Sequence, residues 1–227
     1  MKRTLLISFV LIAQIVCAQN VLVPRMEKIV GNNDKRLYKI ADTINAQYLG
    51  ELEIGGFTND DALMFANIYQ KAKKMGANAF QLRAIEDIDG TPKPFDPNHY
   101  FLSLYYKEDL DSIDEGNVAY LVGSPKKDLK IAIDQRKINL PARTFIKIPL
   151  KSGRIYSVST RKLLGSTIRL SASQYQKSNY FQISGFGMRT DPSGRPGLNL
   201  KSGDILLLEK SYGMFLSIIY KQLDLEF

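Results

Sequence analysis

Beyond Asn117 the chain consists of short runs in which apolar and polar residues alternate, and no long helical period interrupts them. Turn-forming residues separate these runs at intervals of roughly ten residues, which is the pattern of an all-β sandwich or barrel. Because both sides of the segment from Gly213 to Tyr220 are apolar, we predict a central strand there. The runs cover residues 118–122, 129–133, 146–150, 156–158, 168–170, 181–183, 205–208 and 214–220.

The first half of the chain has a different periodicity. After an irregular segment with a short strand over 37–41, Leu52 and Ile54 alternate with Glu51 and Glu53, as in a half-buried strand. The polar run from Thr58 to Asp61 then predicts a helix start. Thr58 and Asp61 are spaced as in a capping box, and acidic side chains in the first turn interact favourably with the helix dipole.

The helix predicted after this start has one apolar face and ends at a glycine. Its apolar stripe includes Phe65, Ala66 and Tyr69, and lysines crowd its last turn. Gly76 stands where a left-handed cap is needed. Two further strands follow, near 80–84 and 100–106. The predicted fold class is therefore α+β, with an N-terminal βαββ domain followed by an all-β sandwich-like domain.

Two motifs in the first half resemble a family of small bacterial βαββ domains. The first motif is Tyr48-Leu49-Gly50-Glu51-Leu52, and the second is the helix end from Lys71 to Phe80, which follows the pattern Lys-Ala-x-x-x-Gly-Ala-Asn-Ala. The resemblance extends from Tyr48 to Tyr106. The family includes heavy-metal-binding domains and envelope stress-sensing lipoprotein domains. The resemblance implies the fold, but the matching segment has no Cys and only one His, so we expect no metal site.

The small residues of this motif also have a structural explanation. Gly76 supplies a positive φ, the alanines at 77 and 79 allow close packing, and Asn78 is expected to cap the last helix carbonyls. The second half is only loosely similar to periplasmic β-sandwich modules of bacterial surface proteins.

Residues 1–18 have the pattern of a secretory signal peptide. Lys2 and Arg3 precede an apolar run of about a dozen residues. Val16 and Ala18 fit the two small-residue positions before a cleavage site, so we predict cleavage after Ala18 and a periplasmic or secreted protein. Because a bilayer-spanning helix needs ~20 apolar residues, we expect no transmembrane helix in the mature chain.

Cys17 leaves open a less favoured alternative, an outer-membrane lipoprotein that is anchored through this sulfur. The residue before a lipidated cysteine is expected to be small, whereas this chain has Val16 there. Cleavage after Ala18 would leave a mature chain without cysteine, and therefore without disulfides.

Charge and export together restrict the partners. The chain carries a formal charge of +8, and removal of Lys2 and Arg3 leaves 8 − 2 = +6. Such an excess favours attraction to anionic surfaces, including lipid head groups and acidic glycans. Nucleic acid is disfavoured because export separates the chain from it. We therefore expect a protein or an anionic surface polymer of the envelope as partner, and we allow for peripheral membrane association.

Between the two predicted domains, 19–107 and 117–227, the chain has an acidic segment at 108–116. This segment lacks the ligand order and central glycine of an EF-hand, so we interpret it as a solvated linker and keep calcium only as a minor alternative.

Candidate ligand-binding residues lie in the long loop from Gly187 to Gly197. Arg189 and Arg195 flank Asp191 there, and glycines and prolines shape the backbone. Long loops often bind ligands, and arginine forks suit carboxylates or phosphates. The alternative is an ordinary loop that an Arg–Asp pair stabilises.

Catalytic chemistry has few candidates in this composition. His99 is the only imidazole and lies in a proline-rich loop, and no phosphate-binding or dinucleotide fingerprint occurs. We therefore expect no catalytic residue, cofactor or metal, and favour a non-catalytic binding or structural role in the envelope. The alternative is a small periplasmic hydrolase with paired carboxylates in an inter-domain cleft, because the 23 acidic residues offer many pairs.

Overall fold

The computed structural model describes residues 20–56, 60–110, 114–160, 165–184 and 205–226. These residues form a mixed α+β fold made mostly of strands, which confirms the predicted class. The described strands lie in three sheets. Two helices in these ranges, α1 (Asp61–Lys74) and α2 (Lys210–Ile219), share one apolar core with the first sheet and one side of the second.

The first sheet has the strand order β1-β3-β5-β4-β2. Its neighbours are antiparallel except β2 and β4, which are parallel. The prediction of an irregular N-terminal segment was wrong in part, because β1 pairs along β3. The strands are β1 (Asn20–Met26), β2 (Tyr38–Lys39), β3 (Ala46–Gly55), β4 (Ala79–Arg83) and β5 (His99–Lys107).

Helix α1 begins and ends on local signals, although its first cap is not the predicted one. The Asp60 carboxylate caps the helix by accepting a hydrogen bond from the backbone N–H of Leu63 at 2.9 Å. Asp61 is the acidic residue of the first turn, as predicted, and it is buried there. Gly76 has the predicted positive φ, and the N–H of Ala77 reaches the carbonyl of Ala72 at 3.0 Å. This is the geometry of a Schellman cap.

Asn78 does not cap the helix carbonyls as predicted. Its side-chain Oδ1 instead accepts a hydrogen bond from the backbone N–H of Lys107 at 2.9 Å, and its Nδ2 donates one to the carbonyl of Lys107 at 2.8 Å. Asn78 therefore fixes the start of β4 against the end of β5.

The second and third sheets enclose another apolar core between them. The second sheet is the middle layer, since Tyr120 and Val122 enter the core shared with the helices while Ala119 and Leu121 enter the other. Its order is β13-β12-β6-β9-β14, from β6 (Val118–Val122), β9 (Thr144–Pro149), β12 (Asn179–Ile183), β13 (Ile205–Leu207) and β14 (Lys221–Gln222). The third sheet has the order β11-β10-β7-β8, from β7 (Leu129–Ile133), β8 (Arg136–Leu140), β10 (Ile155–Ser159) and β11 (Thr167–Ser171).

The predicted strand from Gly213 to Tyr220 was wrong, because most of this segment is helix α2. Glu209 caps the helix by accepting a hydrogen bond from the N–H of Tyr212 at 3.0 Å. The helix is apolar on most sides because it contacts both β2 of the first sheet and β6 and β12 of the second. The predicted segment is a short apolar run, and a run of this length does not distinguish a helix from a buried strand by its pattern alone.

Parts of the acidic segment predicted to be solvated are buried. Leu110 is 1% exposed. Asp114 accepts hydrogen bonds from the N–H groups of Gly116 and Ser178 and pairs with the ammonium of Lys210. This carboxylate therefore fastens the segment to β12 and α2.

Candidate functional site

The loop residues predicted to bind a ligand, Arg189, Asp191 and Arg195, lie outside the described residues, as does the segment 1–18. His99 is described and lies on the outer face of the first sheet. Its Nε2 is 2.8 Å from Oε1 of Glu53, and its ring packs edge-on against Phe101. These contacts give the imidazole a surface pairing role.

The best-buried carboxylate in the described ranges belongs to Asp61, and it joins distant parts of the chain. Its Oδ2 accepts a hydrogen bond from the Tyr220 hydroxyl at 2.6 Å, and Nη1 of Arg143 is 3.1 Å from its Oδ1. Burial raises the pKa of Asp61, while Tyr220 and Arg143 act in the opposite direction. We call these three residues the Asp61 cluster.

Lys73 is another titratable group in an unusual environment. Burial lowers the pKa of this lysine to about 8. Its ammonium donates to the carbonyls of Asp34 and Ala77, each at 2.8 Å, and to that of Arg36. Because an ammonium has three N–H donors, these contacts occupy all of them. Lys73 therefore holds the loop before β2 against the end of α1.

The outer face of the third sheet is basic, and we call it the basic face. The core-facing residues of its strands, such as Ile131, Ile138 and Val158, pack against the second sheet. The alternate residues therefore point to the opposite side, since neighbouring side chains on a strand lie on opposite faces. The basic face consists of Lys130, Ala132, Lys137, Asn139, Ile155, Ser157, Ser159, Thr167, Arg169 and Ser171.

A tight hairpin sets the register that places two of these lysines together. Asp134 and Gln135 join β7 to β8, and both have positive φ, of 47° and 68°. This is the conformation of a two-residue turn that matches strand twist. Lys130 then lies opposite Asn139, and Ala132 lies opposite Lys137. Lys130 and Lys137 are therefore diagonal neighbours on the same face, about 7–8 Å apart between Cα atoms.

Small side chains lie between the cations. The registers align Lys137, Ala132, Ser159 and Thr167 in one row across the four strands. With neighbouring strands about 4.8 Å apart, β8 and β11 are separated by about 14 Å. Arg169 lies two residues along β11 from Thr167. The face thus has a shallow central strip of small side chains, with Lys137 on one side and Arg169 on the other.

The three cations of the basic face are exposed and have no carboxylate partner in the described part of the chain. The nearby carboxylate of Asp134 is already engaged, because its Oδ2 is 3.1 Å from Arg154 and its Oδ1 accepts the N–H of Ser157. Within the described ranges, the positive charge of the basic face is therefore not compensated by a carboxylate.

The outer face of the first sheet provides a contrast. Nε of Arg83 is 3.2 Å from Oε1 of Glu51, and the guanidinium lies 4.2 Å from the ring centroid of Phe101. Glu53 is paired with His99. Arg83 and Glu51 compensate each other there, whereas the three cations of the basic face have no such partner among the described residues.

Sequence reasoning missed Lys130, Lys137 and Arg169 as a group. Lys137 lies in β8, which is not among the strands predicted from the alternating runs. The polar sides of the segments that form the third sheet were a usable signal, since they contain cations and mostly small residues but no acid. The order β11-β10-β7-β8, which brings the cations to one face, is not visible in the local pattern.

Comparison of the chain with protein-family models, curated proteins and solved structures found no match. Within the described ranges, no group of three or more His, Cys, Asp or Glu side chains is placed to hold a metal ion. Neither α1 nor α2 has the length and apolar character needed to cross a membrane.

Proposed function

We propose that this chain is an exported protein of the bacterial envelope that binds an anionic surface polymer on the basic face, without catalysis. The observation that carries the proposal is the arrangement of Lys130, Lys137 and Arg169 around a central strip of Ala132 and serines. Exposed cations without internal partners attract polyanions, and a strip of small side chains leaves room for an extended chain.

The proposal includes the export signal and the finer domain division predicted from the sequence. Residues 19–107 would form a βαββ domain with an added N-terminal strand, and residues 117–227 a β-sandwich-like domain. The order of β3, α1, β4 and β5 supports the first part, as does the helix end that resembles envelope domains. The core shared by the second and third sheets supports the other part.

A polymer in water fits this face better than a lipid surface does. Proteins that insert into a membrane interface present several large apolar or aromatic side chains beside their basic residues. Ile155 is the one large apolar side chain among the residues that form the basic face. A sugar polymer with carboxylates would satisfy the cations and the serine hydroxyls together.

The carboxylate-based hydrolase receives less support from the described residues. Asp61 is engaged with Arg143 and Tyr220, and Asp114 with Lys210 and two backbone N–H groups. A general acid and base need access to substrate. These two buried carboxylates instead face partners within the protein.

The proposal is tested with polyguluronate, a carboxylated polysaccharide, and with neutral dextran as the matched uncharged polymer. We expect the mature protein to bind polyguluronate and not dextran in isothermal titration calorimetry. The affinity should fall when sodium chloride is raised from about 50 to about 200 mM, because salt screens exposed charges.

The variant Lys130→Gln/Lys137→Gln/Arg169→Gln removes the three cations. The matched control is Lys28→Gln/Lys35→Gln/Lys74→Gln, which removes three exposed lysines outside the third sheet. Each exposed ion pair between a cation of the basic face and a polymer carboxylate contributes modestly to the binding free energy. The loss of three such pairs should weaken the affinity about 10-fold or more, whereas the control variant should lose less than about 3-fold. Equal losses would show attraction to net charge alone, and would overturn a role for the face.

A second measurement separates the sources of anionic charge. Sedimentation with vesicles of phosphatidylglycerol and phosphatidylcholine should show weaker binding than to polyguluronate. Binding to these vesicles alone, lost in the basic-face variant, would replace the polysaccharide with a lipid surface. Failure to bind either one would refute the proposed function.

A further inference from the structure

A polar groove of about 560 Å³ lies at one end of the first sheet, whereas the basic face belongs to the third. Pockets that bind small molecules have volumes of about 300–1,000 Å³. The groove is open to solvent. Its lining residues are Asn45, Gln47, Tyr106, Lys107, Glu108 and Asp109, from the start of β3 and the end of β5.

The wall that precedes β3 is held by local hydrogen bonds. Oδ1 of Asp42 accepts the N–H of Ile44 at 3.0 Å, and the carbonyl of Thr43 accepts the N–H of Ala46 at 3.0 Å. Asn45 adopts φ of 55°, a left-handed conformation that asparagine tolerates better than most residues. The ammonium of Lys107 donates to the carbonyl of Ile44 and ties this turn to β5. The wall of the groove that precedes β3 is therefore held in place by hydrogen bonds.

The charges of the groove differ from those of the basic face. The Lys107 side chain is 14% exposed, and its ammonium is directed at the Ile44 carbonyl with Asp42 at 3.9 Å. Glu108 and Asp109 are exposed lining residues. The Glu108 carboxylate, together with a lysine that is engaged with backbone, disfavours an anionic ligand. A neutral or cationic ligand is electrostatically compatible with this lining.

The polar groups of the lining suit a ligand rich in hydroxyl groups. Gln47 and Tyr106 lie directly opposite each other on β3 and β5. The carboxamides of Asn45 and Gln47 each offer two donor hydrogens and an acceptor, and the Glu108 carboxylate adds acceptors. Tyr106, which packs partly against the core of the first sheet, adds an aromatic ring. Sugars need this combination of planar polar groups and a ring surface.

We propose that this groove binds one or two units of a saccharide that is uncharged or carries a free amine. The site goes beyond the proposed polyanion binding, because it uses different residues on a different sheet and disfavours an anionic ligand. The protein would then have two carbohydrate-binding surfaces of distinct specificity.

The test uses two probes that differ in one group. Tetramers of N-acetylglucosamine and of glucosamine are titrated into the full mature chain, and amide chemical shifts are followed by NMR. We expect saturable shifts around residues 45–47 and 106–109 with at least one tetramer. Gln47→Ala should weaken this binding about 3-fold to about 10-fold, the effect of losing one or two hydrogen bonds. Gln70→Ala, on the exposed side of α1, should leave it unchanged.

Glu108→Gln identifies the charge class while keeping the shape of the side chain. If the amine-bearing tetramer is the ligand, this variant should weaken its binding about 3-fold; if the acetylated tetramer is the ligand, binding should be unaffected. The proposal is overturned if neither tetramer gives saturable shifts at about 10 mM, which is ten times a Kd of about 1 mM. It is also overturned if Gln47→Ala and Gln70→Ala behave alike. Neither outcome depends on the binding of polyguluronate.

Discussion

Replacement of Arg143 by Met tests whether the Asp61 cluster joins the two halves of the chain. The side chain of Asp61 is 3% exposed, and that of Arg143 is 20% exposed. Met keeps much of the apolar stem of Arg but removes the guanidinium. Asp61 would then keep the hydrogen bond from the Tyr220 hydroxyl and lose its cation.

Removing one partner of a buried ion pair typically costs about 3–5 kcal/mol. The partial exposure of Arg143 and the retained 2.6 Å bond from Tyr220 reduce this cost, so we expect a loss of about 2–3 kcal/mol. The matched control is Arg154→Met. Arg154 also lies 3.1 Å from its carboxylate partner, Asp134, but the two side chains are 42% and 34% exposed. Its removal should cost less than about 1 kcal/mol.

Urea unfolding at pH 7, followed by circular dichroism, measures both effects. With a slope of about 2–3 kcal/mol per molar urea, Arg143→Met should lower the midpoint by about 1 M. The double variant Asp61→Asn/Arg143→Met should recover part of the loss, because a neutral amide needs no cation. Equal costs for Arg143→Met and Arg154→Met would refute the reasoning.

The pH dependence provides an independent check. Burial already raises the pKa of Asp61, and Arg143 is one of the groups that oppose this rise. Loss of Arg143 should therefore raise the pKa further. A carboxyl group with a raised native pKa contributes stability that is present at low pH and lost as pH rises through that pKa. The deficit of Arg143→Met should accordingly shrink as pH falls from 7 toward 4, and a constant deficit would contradict this account.

Two further predictions concern α2 and the tyrosines of the core. Gly213→Ala should lower stability by about 1–3 kcal/mol in the same urea assay, although Ala is the better helix former, because the new Cβ would lie 2.2 Å from Cγ of Tyr180. No loss would show that α2 does not pack this closely on β12. Burial raises the pKa of Tyr180 to about 12 and raises the pKa values of Tyr120, Tyr212 and Tyr220. The contribution of these tyrosines to the free energy of unfolding is present below the unfolded-state pKa of about 10, and it is lost as pH rises through their native-state pKa values. The tyrosinate absorbance at 295 nm from these residues should therefore appear together with loss of the circular dichroism signal. Tyrosinate formation at all four in a chain that remains folded would contradict their burial.

Much of the local structure could be predicted because its signals lie within a few residues of one another. The period of α1 and the positive φ at Gly76 depend on contacts within the helix and its cap. The alternation in β7, β10 and β11 reflects a pleat in which one side faces the core. Such features survive in any arrangement of the strands, so the sequence alone indicated a mixed α+β chain.

Other features depend on partners that are distant in the chain. Asp61 is buried because Arg143 and Tyr220, 82 and 159 residues away, reach its carboxylate. Helix α2 lies where a strand was predicted, because a short apolar run is compatible with either element and its contacts with β2, β6 and β12 are long-range.

The basic face is the clearest case of a site that only tertiary structure decides. Local alternation determines that Lys130, Lys137 and Arg169 lie on the polar side of their own strands. The pairing of β7 with both β8 and β10, and of β10 with β11, determines that these polar sides form one surface. Strand pairing is a long-range property. Its hydrogen bonds join backbone groups, so the side chains of a strand indicate little about which strand is its neighbour.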